Sequence, residues 1–168
     1  MKLAIMSDSH EHKDNLSKAI ILAKKEKCEH ILFAGDLGRP SAMVPILVWW
    51  DIPITMILGN NDAEIIGLMQ QSARHSLFTL HKDHLAWNTY IDTLDWVCIA
   101  MHHYPIIANW AAESSKIDLA IAGHTHIFEC IPYGDSLYIN SGSILGDKEP
   151  AGFAIYDTET QTHKHILL

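Results

Sequence analysis

This 168-residue chain has no long apolar run, no cysteine pairs, no excess of basic residues and no repeats. Each absence excludes something. The first apolar run extends only from Leu3 to Met6 before Ser7 and Asp8 close it. A signal-peptide core or a membrane span of about 20 residues needs far more. A cytoplasmic protein without a membrane partner is expected. The three cysteines, Cys28, Cys98 and Cys130, are odd in number and lack metal-ligand spacing. They read as buried, reduced thiols. Twelve Lys and Arg stand against twenty Asp and Glu, a net charge of −8. Extended nucleic-acid surfaces need clustered cationic side chains, so none is expected. A short nucleotide or a small phosphate ester remains compatible, because bound cations reverse the local charge. Without linkers or low-complexity stretches, residues 1–168 read as one domain. The hydrophobic fraction of 48% is enough for a real core.

The pattern of apolar residues alternates between strand and helix in the first half. Strand Lys2–Ser7 is followed by helix Lys13–Lys27, where Leu16, Ala19, Ile20 and Ala23 recur at helical spacing. Lys24, Lys25 and Lys27 fill its solvated face. Strand His30–Ala34, a short helix Ser41–Val48 after Pro40, strand Pro53–Leu58, helix Ala63–Ala73 and strand Ser76–Leu80 continue the series. This order predicts parallel strands. The second half is rich in strands: His84–Tyr90, Asp95–Met101, Leu119–Ala122, Phe128–Pro132, Leu137–Asn140, Gly152–Asp157 and His163–Leu168. One helix, near Ile107–Ser115, interrupts them. Tyr133–Ser136 and Asp157–Gln161 read as hairpin turns. Two packed mixed sheets with helices outside are expected.

Five polar motifs follow the apolar runs LAIM, HILFA, ITMIL, VCIAM and LAIA. They are Asp8-Ser9-His10, Gly35-Asp36, Gly59-Asn60-Asn61-Asp62, His102-His103 and Gly123-His124-Thr125-His126. Each alone has a structural reading: Asp-Ser caps helices, Gly-Asp and Gly-Asn make turns, and a lone His ends a strand. Together they supply two Asp, one Asn and four His, about right for two metal ions and too many for one. A carboxylate such as Asp36 has two oxygens and can bridge two cations. The Asn60 amide oxygen is a neutral hard ligand, and Asp62 could orient a neighbouring imidazole.

The order Asp-x-His, Gly-Asp, Gly-Asn-x-Asp, His, Gly-His-x-His resembles the calcineurin-like metallophosphoesterase superfamily, in particular its small YfcE-like phosphodiesterases. The later Asn140-Ser141-Gly142-Ser143 is similar to the family's Asn-Pro-Gly-Ser turn, with Ser141 in place of Pro. The resemblance implies a four-layer α/β/β/α sandwich of two mixed sheets flanked by helices. It implies that Asp8, His10, Asp36 and His126 hold one metal, and that Asp36 bridges to a second held by Asn60, His102 and His124. His102 is preferred over His103 because it directly follows the strand. Two divalent transition-metal ions are implied, with Mn²⁺ first and Fe, Zn²⁺, Ni²⁺ or Co²⁺ as others. A hydroxide between them would attack the phosphorus of a small phosphodiester, with Asp36, Asn60, His102 and His103 around the reacting group.

Many members of the superfamily carry His where this chain has Asn61. An amide cannot act as a general acid, so His12 or His103 would have to substitute. A protein scaffold like the retromer-coat relative of the same fold is the alternative class. Within enzymes, the alternative is a nuclease or cyclic-nucleotide phosphodiesterase. Trp49 and Trp50 read as core or, if exposed, as a contact in a homodimer or higher oligomer. Trp110 reads as core rather than the wall of a substrate pocket.

Overall fold

The structure, a computed structural model, describes residues 1–81 and 88–168. The elements run β1 (Lys2–Met6), α1 (Lys13–Lys25), β2 (His30–Phe33), α2 (Pro40–Val48), β3 (Ile54–Met56), α3 (Ile65–Arg74) and β4 (Phe78–Leu80) in the first half. The second half contributes β5 (Tyr90–Leu94), β6 (Val97–Met101), α4 (Pro105–Glu113), β7 (Leu119–Ala122), β8 (Phe128–Tyr133), β9 (Ser136–Ser141), β10 (Gly152–Asp157) and β11 (Thr162–Leu167). One sheet has the order β11-β10-β1-β2-β3-β4 and the other β5-β6-β7-β9-β8. In the first, β1 to β4 are parallel neighbours and β10 and β11 pair antiparallel. In the second, β6, β7 and β9 are parallel, with an antiparallel strand at each edge.

Period-two alternation sorts the apolar side chains into layers. Leu3 and Ile5 of β1 point between the sheets, where they join Ile99 and Met101 of β6, Ile121 of β7 and Ile139 of β9. Ala4 and Met6 point the other way, into a core shared with Leu16 and Ile20 of α1, Met43 and Leu47 of α2, and Leu68 of α3. On the far side of the second sheet, Ala100, Ala120 and Tyr138 meet Ala108 and Ala112 of α4. The layers are therefore α/β/β/α, as the resemblance implies. β1, β2, β3, β6 and β7 all send their C-terminal ends toward the motif residues.

Several boundaries differ for local reasons. Asp95 and Trp96 have φ of +48° and +59°, the paired left-handed conformation of a tight hairpin turn, so β6 starts at Val97 and not at Asp95. Tyr90 begins β5 rather than ending a strand from His84, and residues 84–87 of that expectation lie outside the described residues. Pro105 occupies the first turn of α4, which starts two residues earlier than the apolar pattern suggested. Trp110 is not core: it is 59% exposed, on the side of α4 opposite Ala108 and Ala112. Trp49 is 75% exposed and Trp50 37% exposed. All three cysteines are free; Cys28 is buried, whereas Cys98 and Cys130 are only half-buried. Burial pushes the Cys28 thiol up to about 12. Among the described residues no helix is long and apolar enough to cross a membrane.

The seam between the sheets carries the architecture. Ile139→Ala, at a fully buried position of that seam, is expected to cost about 2–5 kcal/mol of stability. Urea unfolding checks this: the midpoint should fall while the slope stays constant.

Candidate metal centre

Two groups of donors converge at the strand ends. In the first, His10 Nε2 lies 3.1 Å from His126 Nε2. Asp8 Oδ1 is 3.4 Å from the His126 nitrogen and 3.7 Å from that of His10. Donors sharing one cation through bonds of about 2.1 Å stand about 3.0–3.4 Å apart, so this spacing fits a cation better than direct hydrogen bonds. Asp8 supplies a second sign. Its Oδ2 accepts the backbone N–H of His124 at 2.9 Å, while Oδ1 is buried without a hydrogen-bond partner among the described residues. A buried orphan carboxylate oxygen is expensive, and a cation is the partner that its neighbours' chemistry suits.

In the second group, Asn60 Oδ1 lies 3.0 Å from His103 Nε2 and 2.8 Å from His124 Nδ1. His103 Nδ1 donates to the Ala34 carbonyl at 2.7 Å, which leaves the Nε2 lone pair of the neutral ring aimed at the site. Between the groups sits Asp36. Its Oδ2 is 3.7 Å from His10 Nε2 and 3.5 Å from His103 Nε2.

The structure thus brings together Asp8, His10, Asp36, Asn60, His124 and His126, with His103 in the position expected of His102. Alternation explains this placement. Ile99 and Met101 of β6 face the seam between the sheets and Ala100 faces α4. Continuing that period, His103 faces the seam and His102 the helix side. His102 Nδ1 accepts the N–H of Tyr104 at 3.0 Å. Of the two adjacent rings, it is His103 that lies beside Asn60 and Asp36.

Asp62 also differs from expectation. It orients backbone rather than an imidazole, accepting N–H groups of Asp36 and Gly59 at 2.8 Å each, Leu37 at 3.0 Å and Gly38 at 3.4 Å. Burial pushes its pKa up, against the pull of these donors. Asn61 grips Asp36 twice, with its backbone N–H on Oδ1 and its side-chain amide on Oδ2, both at 2.7 Å. His12 is the N-cap of α1 and accepts the Asn15 N–H. The Asn140 amide donates to the Gly123 carbonyl and to Thr125 Oγ1, and Ser143 Oγ donates to the Asp8 carbonyl. The Asn-Ser-Gly-Ser turn therefore braces both the first and the last motif. Asp147, absent from the sequence reading, accepts from His126 Nδ1 at 2.6 Å. Only a carboxylate within reach of a predicted ligand could have revealed it, and it lies 21 residues further along the chain.

The loops are strained where the donors sit. Asp8, His10, Asp36, His124 and His126 have φ of +55°, +41°, +58°, +71° and +62°. Asp and His tolerate this region better than most residues, but each such residue costs roughly 1–3 kcal/mol. Packing is correspondingly tight. A Cβ on Gly59 would lie 2.1 Å from Asp36 Oδ1, and one on Gly123 would lie 2.7 Å from Asp8 Oδ2.

Against this geometry the relatives can be weighed. The sequence model of the calcineurin-like phosphoesterase superfamily domain matches residues 1–161. The chain belongs to that superfamily. Phosphodiesterase MJ0936 of Methanocaldococcus jannaschii is 30% identical over 173 aligned positions, covering 100% of this chain and 99% of the relative. The solved structure of an archaeal phosphodiesterase superposes with a TM-score of 0.85 at 26% identity, covering both chains completely. Two others share the fold alone. The Escherichia coli phosphoesterase YfcE has a TM-score of 0.67 at 16% identity, with 99% of each chain covered. Vps29 of Chaetomium thermophilum has a TM-score of 0.67 at 17% identity, covering 100% of this chain and 96% of its own. The superfamily implies divalent metal ions, and the converging donors fit them.

Charge within the site follows from its crowding. The Asp8 carboxylate raises the pKa of His10 above the ordinary 6.5. For His103, burial opposes protonation, but Asp36 outweighs it and the pKa is raised too. Burial, then the neighbouring His103, lowers that of His124. Burial also opposes the charge on Asp36, yet His103 and Asn61 hold its carboxyl well below the usual range, so it stays ionised.

Two outcomes are expected. Gly59→Ala should displace Asp36 and remove most metal binding, read by elemental analysis of the purified variant. Protonated His10 and His103 cannot donate to a metal, and their raised pKa values mean that protons compete from above pH 6.5 downward. Mn²⁺ affinity measured between about pH 5 and 8 should fall with acid through that window. Affinity that ignores pH there would contradict this account.

Proposed function

We propose that this chain is a metal-dependent phosphodiesterase acting on small phosphate esters at a pair of divalent cations. The observation that carries the reading is Asp36 Oδ2, which lies within 3.7 Å of a ring nitrogen from each donor group. In this reading Asp8, His10 and His126 would hold one cation and Asn60, His103 and His124 the other, with Asp36 placed between the two groups. The donors mix oxygen and nitrogen without thiolate, which suits Mn²⁺ first and Fe, Zn²⁺, Ni²⁺ or Co²⁺ as others. Residues 1–168 act as one domain, since both sheets contribute donors. The free thiols support a cytoplasmic location. The scaffold alternative has no observation of its own in its favour, because the likeness to Vps29 is one of fold and every donor position here is filled.

When bound, the cations neutralise the phosphoryl oxygens and lower the pKa of water at the site. The chain's own residues do the rest. Asp36 is held ionised and oriented by the two Asn61 bonds. Asp62 ties the Asp36 and Gly59 loops together, so the two donor groups keep their separation. The His103 Nδ1 proton is committed to the Ala34 carbonyl, and its other nitrogen belongs to the donor set. His12 is occupied as a helix cap. Neither substitutes for a general acid, and Asn61 cannot be one. Esters whose leaving group departs as an anion are therefore the favoured substrates, since lost acid catalysis costs about 10²–10⁴-fold where a proton is needed.

The test has two arms. Elemental analysis after Mn²⁺ loading should approach two ions per chain; a firm limit of one at saturation overturns the binuclear reading. With Mn²⁺ present, bis-(p-nitrophenyl) phosphate should turn over far faster than an alkyl diester. Asn61→His should help the alkyl diester more than the aryl one. His103→Ala should abolish activity and Asn61→Ala should lower it by loosening Asp36, whereas His102→Ala should retain cation binding.

The exposed Trp49 and Trp50, with Ser17, Ile21, Pro45 and Ile46, line an apolar cleft of about 380 Å³ between α1 and α2. It shares no residue with the donor groups, and an exposed aromatic pair of this kind supports a homodimer or higher oligomer. Light scattering of the wild type against Trp49→Lys checks this: the variant should be monomeric.

A further inference from the structure

The loop between β9 and β10 carries three consecutive charged residues, and all three reach the neighbouring segment from Thr125 to Phe128. Asp147 Oδ1 accepts from His126 Nδ1 at 2.6 Å. Lys148 Nζ donates to the Thr125 carbonyl at 2.8 Å. Glu149 Oε2 accepts the Phe128 backbone N–H at 2.9 Å. The segment is itself pinned at both ends. Ser143 Oγ accepts the N–H groups of Leu145 at 3.0 Å and Gly146 at 3.4 Å, and the Gly152 N–H donates to the Ser143 carbonyl at 3.0 Å. A side chain at Gly146 would meet Ala151 Cβ at 2.7 Å, so the loop is closely packed.

Chemistry fixes the direction of the first contact. A carboxylate can only accept, so His126 Nδ1 carries the proton. The lone pair of the neutral ring is then on Nε2, the atom facing Asp8 Oδ1 and His10 Nε2. An anionic acceptor also makes the opposite nitrogen a stronger donor to a cation than a neutral acceptor does. The other donor group differs here: its His103 Nδ1 bonds to a backbone carbonyl, which is neutral.

We infer that Asp147, held by the strap 147–149, is a positioning residue for His126 and makes the Asp8/His10/His126 site the tighter of the two cation sites. The inference rests on the binuclear reading above and extends it to an order of affinity. Lys148 and Glu149 act on the backbone on either side of His126, holding a strained residue at the angle its ring needs. Removing such an outer carboxylate typically weakens metal binding 10–100-fold.

Calorimetric titration of the demetallated protein with Mn²⁺, repeated with Co²⁺ and its visible absorption, tests this. The wild type should show two steps. Asn60→Ala, which removes a donor of the other site, should mark the weaker step. Asp147→Ala should weaken the tighter step about 10–100-fold and leave the weaker one nearly unchanged, with an altered Co²⁺ spectrum for the first ion. Asp147→Asn, which keeps an acceptor without the charge, should fall between. Thermal melts of both variants without metal establish that they fold; if Asp147→Ala does not, the asparagine variant alone decides. A two-step wild type with an unaffected Asp147→Asn and Asp147→Ala, or equal weakening of both steps, overturns the inference only. A wild type that binds a single ion overturns the binuclear reading and this inference with it.

Discussion

One buried carboxylate holds the centre together. Asp62 accepts backbone N–H groups from both the loop after β2 and the loop after β3. It is 5% exposed, so its charge has little water to rely on and needs these donors. In return it fixes the distance between Asp36 and Asn60. Parallel neighbours β2 and β3 cannot do this alone, because their ladder ends before the loops begin. Without Asp62, two loops with strained backbones would have no common reference, and Asp36 could not face both donor groups.

The donors are held apart from one another as well as together. Four imidazoles, two carboxylates and an amide oxygen within a few ångströms are electrostatically costly when only protons are shared among them. The raised pKa values of His10 and His103 and the orphan Asp8 oxygen are symptoms of that cost. Left-handed backbone at five of the donors adds strain. Such costs persist only where surrounding structure enforces them. Here the enforcement comes from Asp62, the Asn61 grip on Asp36, and the Asn140–Ser143 turn beneath the first and last motifs. Strain of this kind is what a preorganised cation site requires, since the donors need not rearrange on binding.

The fold supplies this arrangement cheaply. Strands β1, β2 and β3 belong to one sheet and β6 and β7 to the other. Their C-terminal ends meet at one end of the seam between the sheets, where the hydrophobic core stops and polar side chains begin. The apolar and polar regions are compatible because the core is complete before the loops start. An apolar cleft between α1 and α2 lies on the outer layer and shares no residue with the donor groups.

Much of this was legible in the sequence. Apolar runs of the right length, each closed by Gly or a polar residue, determined the strands, their parallel start and the five motifs that converge at the strand ends, because local periodicity and side-chain chemistry are properties of short segments. Element limits moved where a turn needed left-handed residues, as at Asp95 and Trp96, or where a proline could begin a helix, as at Pro105. Tertiary structure alone decided which of two adjacent histidines faces the seam, since that depends on which side of β6 the other sheet packs. It alone decided that Asp62 binds backbone, that Trp110 is exposed on α4, and that Asp147 reaches His126. Each of these is a contact between segments far apart in the chain, and no local pattern encodes the partner.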